Sequence, residues 1–336
     1  MTTVSLRRVI SWWDSHQVAL YLLAIAVGGI IGLVTPGVAP VLETATNPVL
    51  ALLLFATFLG VPIIELGRAF RDWKFLSTVV VVNFVIVPIV VFGLSRFVED
   101  EQGLFFGLLL VLLTPCVDYV IVFTGLAGGA KVRLLAATPL LMLLQIMLLP
   151  LYLLVIAGPD LTGLVEIEPF VEAFVILIVI PLVGAAIVQA IARRYAIGRR
   201  IEEVMAAAMV PLMMLTLAVI IGSQIAAVGS EALTLLRLLP LYAGFAIIML
   251  LVGVGASRVA KLDTPGTGAV IFSGVTRNSL VVLPLALALP VELAIAPLAV
   301  VTQTLVELVV MVLFVRLVPA LVRGSQSPTV SGSTGN

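Results

Sequence analysis

The chain has 336 residues, 62% hydrophobic and 11% charged, with a mean hydropathy of +1.29 and a formal net charge of zero. Soluble domains carry about 25% charged residues, so water is excluded as the solvent of the folded chain and a bilayer takes its place. Zero net charge excludes a nucleic-acid-binding character, and the single cysteine, Cys116, excludes an intramolecular disulfide.

In chain order, residues 1–17 hold Arg7 and Arg8 but no long apolar core ahead of Trp12-Trp13-Asp14, so no cleavable leader is expected. They read as a cytoplasmic N-terminal segment, with Trp12, Trp13 and His16 at the headgroup level. Apolar runs follow at 18–35, 47–66, 75–97, 103–127, 132–157, 168–192, 203–227, 236–257, 267–289 and 292–318. Runs of roughly 18–25 residues cross a hydrocarbon core of about 30 Å at 1.5 Å per residue. The pattern predicts an all-α integral membrane protein of ten transmembrane helices. Polar turns join them at Thr35-Pro36-Gly37, Gly158-Pro159-Asp160 and Asp263-Thr264-Pro265-Gly266. The tail 324–336 is rich in Ser, Thr and Gly and is expected to be disordered and cytoplasmic.

With the N-terminus inside, every Lys and Arg except Arg96, Arg237 and the intraspan Arg277 falls on the cytoplasmic side. Acids gather on the opposite side, at Glu99-Asp100-Glu101 and at Asp160, Glu166, Glu168 and Glu172. The expected location is the plasma (inner) membrane with both termini cytoplasmic.

Five helices in each half make any internal repeat an inverted one, here 18–157 against 168–318, a recurrent plan of secondary transporters. Short echoes support it. Leu53–Gly60 matches Met214–Gly222 in outline, and Gln145 and Gln303 sit at corresponding places. The fourth helix carries Thr114-Pro115-Cys116-Val117-Asp118 in mid-span, and the ninth carries Ser273-Gly274-Val275-Thr276-Arg277-Asn278-Ser279. Proline removes a helical hydrogen bond, and freed backbone groups in a bilayer must face protein or water. The two helices are therefore expected to be interrupted at Thr114, Pro115, Gly274 and Thr276, around a midplane binding site. Other prolines (Pro88, Pro150, Pro181, Pro211, Pro240) are expected only to kink their helices.

Asp118, Arg277 and Glu307 are the ionisable groups deep in spans, and intramembrane charge marks function. Asp118 and Arg277 would meet if the interrupted helices cross, either as a structural pin or as a pair that competes with substrate or proton. Glu307 reads as a lone carboxylate suited to carry a proton, or as one satisfied by hydroxyls such as that of Thr304. Cys116 is either a packing residue or a ligand for a soft, thiophilic species.

These residues resemble the bile-acid/sodium symporter superfamily and, within it, the arsenite/antimonite efflux permeases. Cys116 in Leu-Thr-Pro-Cys-Val, the stretch Phe123–Gly129, and Leu305-Val306-Glu307-Leu308 match the permease segments around their functional cysteine and glutamate. Where those permeases pair two asparagines in the ninth helix, this chain has Arg277 and Asn278. The sodium-coupled branch carries a glutamate and Gln-Asn where this chain has Ser273, Arg277 and Asn278. A guanidinium offers only donors, repels a nearby cation and could stand in for one, which makes protons the expected coupling ion. The resemblance also implies a panel of helices one, two, six and seven moving against a core of the rest.

The expected function is proton-coupled export of trivalent arsenite or antimonite, without a cofactor. Cys116, Asn278, Arg277 and Ser279 would form the substrate site, and Glu307 or Asp118 would exchange the proton. Transport of a small organic anion held by Arg277 is the second reading. A sensor without transport is disfavoured because the tail holds no output module, and no protease or metal motif points to an enzyme.

Overall fold

The computed structural model describes residues 2–60, 72–117, 119–162 and 175–324, and the described part of every apolar run is mainly helical. The order begins with α1 (Thr2–Val34), α2 (Ala39–Gly60), α3 (Trp73–Val81), α4 (Val87–Ser95) and α5 (Gln102–Leu112). It continues with α6 (Tyr119–Leu126), α7 (Lys131–Thr162), α8 (Ile180–Ala192), α9 (Ala196–Ser230) and α10 (Ala232–Leu235). It closes with α11 (Leu238–Val259), α12 (Thr264–Val275), α13 (Ser279–Leu287) and α14 (Ala296–Gly324). Arg68, Arg71, Asp118, Glu166, Glu168, Glu172 and the tail after Gly324 lie outside the described residues.

Local chemistry sets the helix ends. Asp72 opens α3 by accepting from the Phe75 N–H at 3.3 Å, and Asp263 opens α12 by accepting from the Gly266 N–H at 3.2 Å. Gly158, at φ 80°, breaks α7 at the expected connection. Helix α1 starts at Thr2, so the segment expected to precede the first span is helical and continuous with it.

Two of the prolines expected to kink their helices follow wider turns. A π-helical turn, Val82–Ile86, joins α3 to α4 just ahead of Pro88, and another, Val175–Val179, precedes Pro181 in α8. The wide turn makes room for a ring that cannot donate to the preceding turn.

Among the described residues, six helices are long and apolar enough to cross a bilayer: Pro36–Gly60, Trp73–Val98, Lys131–Gly158, Ala196–Ala226, Ala232–Val259 and Val291–Val322. Shorter apolar helices run over Ala19–Val34, Gln102–Leu112 and Ile180–Ala192. Ile30, Met147 and Leu251 are 62%, 73% and 65% exposed, an outward apolar surface that lipid accommodates and water would not. The chain is a multi-pass, all-helical membrane protein.

Helices α1, α2, α8 and α9 pack on one another, while α3–α7 and α11–α14 pack around a second centre. The two groups meet chiefly through α9 against α14 and α2 against α13. Within the first group α1 and α9 approach closely: a Cβ on Gly32 would lie 2.3 Å from the Gly222 carbonyl oxygen, and one on Gly28 2.4 Å from that of Ala218. Small residues four apart give this backbone-to-backbone contact in membranes.

Exposed charges tie the second group at both ends. At one end Arg133 reaches Asp263 at 2.7 Å and Asp72 at 3.4 Å. At the other, Arg237 grips Asp100 bidentately at 2.8 and 2.6 Å. Those hydrogen bonds hold the Asp100 carboxyl below its usual value and push Arg237 up.

Candidate site at the crossing of two interrupted helices

Helix α5 stops at Leu112 and α6 starts at Tyr119; α12 stops at Val275 and α13 starts at Ser279. Both interruptions expected from the sequence are present, and they lie against each other. Pro115 and Arg277 form an isolated antiparallel β-bridge. The Cys116 N–H donates to the Thr276 carbonyl at 3.2 Å, and the Asn278 N–H donates to the Thr114 carbonyl at 2.8 Å. Each extended segment thus satisfies the other's freed backbone, as a low-dielectric interior requires.

The exchange has two-fold character. Thr114-Pro115-Cys116 corresponds to Thr276-Arg277-Asn278, and each threonine hydroxyl bonds back to the carbonyl four residues earlier, Leu110 at 3.1 Å and Phe272 at 2.7 Å. That back-bonding competes with the helical ladder at the place where each helix ends.

Arg277 is wholly buried. Its guanidinium donates to the carbonyls of Leu112 at 3.2 Å, Ser273 at 2.8 Å and Gly274 at 2.7 Å, and to Asn83 Oδ1 at 2.8 Å. Its central carbon lies 5.4 Å from the Phe245 ring centroid. The carbonyls belong to the C-terminal ends of α5 and α12, each the negative pole of a helix dipole. Asn83 is fixed in turn by donating to Val79 O and Ser273 Oγ, both at 3.0 Å. A positive charge is therefore fastened where two half-helices present their electron-rich ends.

Glu307, on α14 and 3% exposed, closes the site. Its Oε2 accepts from the Arg277 backbone N–H at 2.8 Å and from the Gln303 side-chain amide. It is thus not the lone carboxylate pictured from the sequence, nor one held by Thr304, whose hydroxyl bonds to Val300 O at 3.1 Å. A cavity of about 10 Å³ borders Glu307, Gln303, Tyr242 and Phe245, on the scale of one water.

Asn278 caps α13, accepting from the Val281 N–H at 3.3 Å. Its Nδ2, the Ser279 hydroxyl and Gln303 Oε1 are buried and make no hydrogen bond among the described residues. Such groups cost about 1–3 kcal/mol each when left unmade, and a polar species at the crossing could satisfy them. The Cys116 side chain is fully buried at the same crossing and forms no disulfide.

Of the residues expected at the site, Thr114, Pro115, Cys116, Gly274, Thr276, Arg277, Asn278, Ser279 and Glu307 all lie at or against the crossing. The expected Asp118–Arg277 pairing falls outside the described residues. Sequence reasoning missed Asn83, Tyr242 and Phe245. Asn83 could have been noticed as the only side-chain amide in the run 75–97. Tyr242, which donates to the Ala299 carbonyl at 2.9 Å, and Phe245 carry no comparable sequence signal.

Comparison with family models matches residues 47–231, more than half of the chain, to the model described as Sodium Bile acid symporter family. A search of curated proteins finds no match.

Proposed function

The chain belongs to the sodium bile acid symporter family, a family of membrane transporters, and on that premise we propose that it exports trivalent arsenite or antimonite in exchange for protons. In this proposal ten spans form two inverted five-helix repeats, 18–157 and 168–318, in the plasma (inner) membrane with both termini cytoplasmic. The group α1, α2, α8 and α9 acts as the panel against which the remaining helices move. The two-fold exchange between Thr114–Cys116 and Thr276–Asn278 supports the inverted repeat.

The observation that carries the proposal is the occupant of the crossing. A tethered guanidinium engages helix-end carbonyls that would otherwise suit a coupling cation, and a buried carboxylate accepts from the same residue's backbone. That arrangement favours protons over sodium. Protonating Glu307 weakens the two hydrogen bonds it accepts, from Arg277 N–H and Gln303, and so links proton occupancy to packing at the crossing. Asp118, two residues beyond Cys116, is the second carboxylate proposed to exchange the proton.

For the solute, the Cys116 thiol condenses with one As–OH group, forming one S–As bond and releasing one water. Asn278 and Ser279 offer polar groups to the remaining hydroxyls. A single thiolate ligand holds a soft metalloid reversibly, which suits release. The organic-anion reading needs the Arg277 guanidinium turned toward a carboxylate, whereas here it is turned onto Leu112, Ser273, Gly274 and Asn83.

The test is arsenite accumulation in inverted vesicles under an imposed proton gradient, for wild type and Cys116→Ala. Accumulation by the wild type that the variant loses is the expected result. No accumulation by the wild type overturns the substrate assignment, and organic anions would then be screened against an Arg277 variant.

A further inference from the structure

Away from the crossing, a larger cavity of about 460 Å³ opens between the end of α2, the end of α8 and the start of α9. Its volume falls within the range of small-molecule and headgroup sites. Leu59 and Met205 are among its apolar lining residues, and Gln189, Arg193, Arg199 and Glu202 are the polar ones. The Gln189 amide nitrogen is committed to α2, donating to Phe58 O at 3.2 Å and Leu59 O at 3.1 Å.

The turn beside the cavity places Arg193, Arg194, Arg199 and Arg200 within eight residues. Gly198 makes this compact, since a Cβ there would lie 2.4 Å from the Ala192 backbone nitrogen. Arg199 donates to the Ala192 carbonyl at 3.2 Å, and Arg193 takes part in none of the ion pairs among the described residues. Arg199 and Arg200 also occupy the first turns of α9, where the helix dipole disfavours positive charge. A bound anion removes that conflict and uses the free N–H groups of the helix start. Among the described residues, Glu202 supplies the one negative charge of the lining, against two arginines.

We propose that this cavity binds the phosphate headgroup of an anionic phospholipid. Arg193 and Arg199 hold the phosphate, and the start of an acyl chain lies along Leu59 and Met205. A lipid suits a cavity that is apolar within and basic at its rim better than a soluble phosphate does. The position, at the end of lipid-facing helices beside exposed Tyr195, is where headgroups lie. This site is separate from the solute site and does not depend on which solute is carried.

The experiment uses the full chain, purified in detergent and stripped of lipid, with thermal unfolding followed in added phosphatidylglycerol, phosphatidylcholine or inorganic phosphate. Phosphatidylglycerol should raise the melting temperature by about 2–4 °C, phosphatidylcholine and phosphate by less than about 1 °C. The rise should shrink in Arg193→Gln, vanish in Arg193→Gln/Arg199→Gln and persist in Arg316→Gln, an exposed arginine outside the cavity lining. Because Arg193 forms no described ion pair, its variant should melt like the wild type before lipid is added. An equal rise with phosphatidylcholine, an equal rise with inorganic phosphate, or a full rise in Arg193→Gln would each overturn the proposal.

Discussion

Replacing Arg277 with alanine strips a cation from four acceptors at once: the Leu112, Ser273 and Gly274 carbonyls and Asn83 Oδ1. Hydrogen bonds to a charged group contribute about 1.5–3 kcal/mol each, but they share one guanidinium and do not add. The acceptors left unmade cost about 1–3 kcal/mol each, not additively, and the vacated volume adds to this, so we take about 4 kcal/mol in all. At roughly 2–4 °C per kcal/mol for a chain of this size class, Arg277→Ala should melt about 10 °C below wild type. Unfolding in detergent, followed by tryptophan fluorescence, measures this. Low-millimolar guanidinium chloride should restore part of the loss in the variant and none in the wild type, because the free ion can occupy the same carbonyls. Choline chloride should restore nothing. A loss under about 2 °C, or equal responses to the two salts, would refute the tethered-cation account.

The other predictions concern features that position the site. Asn83→Leu keeps the branching of the side chain but leaves the Arg277 guanidinium without one acceptor and Ser273 Oγ without a donor; it should cost about 1–3 kcal/mol in the same melt. Gly32→Leu drives a side chain into the α9 backbone at Gly222 and should destabilise by about 1–3 kcal/mol or more, read as lost monodisperse yield and a lower melting temperature. For Asp100, the carboxyl is lowered by hydrogen bonding to Arg237, so its stabilisation is present above the ordinary value of 3.8 and lost as pH falls through the lowered one. The stability difference between wild type and Asp100→Asn should therefore be constant near neutral pH and disappear on strong acidification; a gap that widens toward low pH would contradict the sign.

Much of the architecture was legible because each device is local. The apolar runs announce helices, and the polar stretches 114–118 and 273–279 announce interruptions, since such residues in mid-span have no other physical outlet. Partnerships were not legible. Asn83 and Arg277 are 194 residues apart, and nothing periodic links them. Nor does the sequence show that the Arg277 side chain reaches backbone carbonyls and that its own N–H reaches Glu307. Carbonyl acceptors exist at every residue, so the sequence does not distinguish the few that a helix end exposes. The π-helical turns ahead of Pro88 and Pro181 went unforeseen because a proline signals a lost hydrogen bond and not the way the chain absorbs it.

The central claim is that solute movement is coupled to protons at the crossing, with Glu307 as a carrier and no sodium required. Its most direct test is proton movement in sodium-free proteoliposomes holding a pH-sensitive dye, on addition of arsenite, for wild type and Glu307→Gln. The account predicts an arsenite-dependent pH change with the wild type and none with a Glu307→Gln variant that still melts cooperatively. An arsenite response that appears only when sodium is added, or one that Glu307→Gln retains in full, would contradict it.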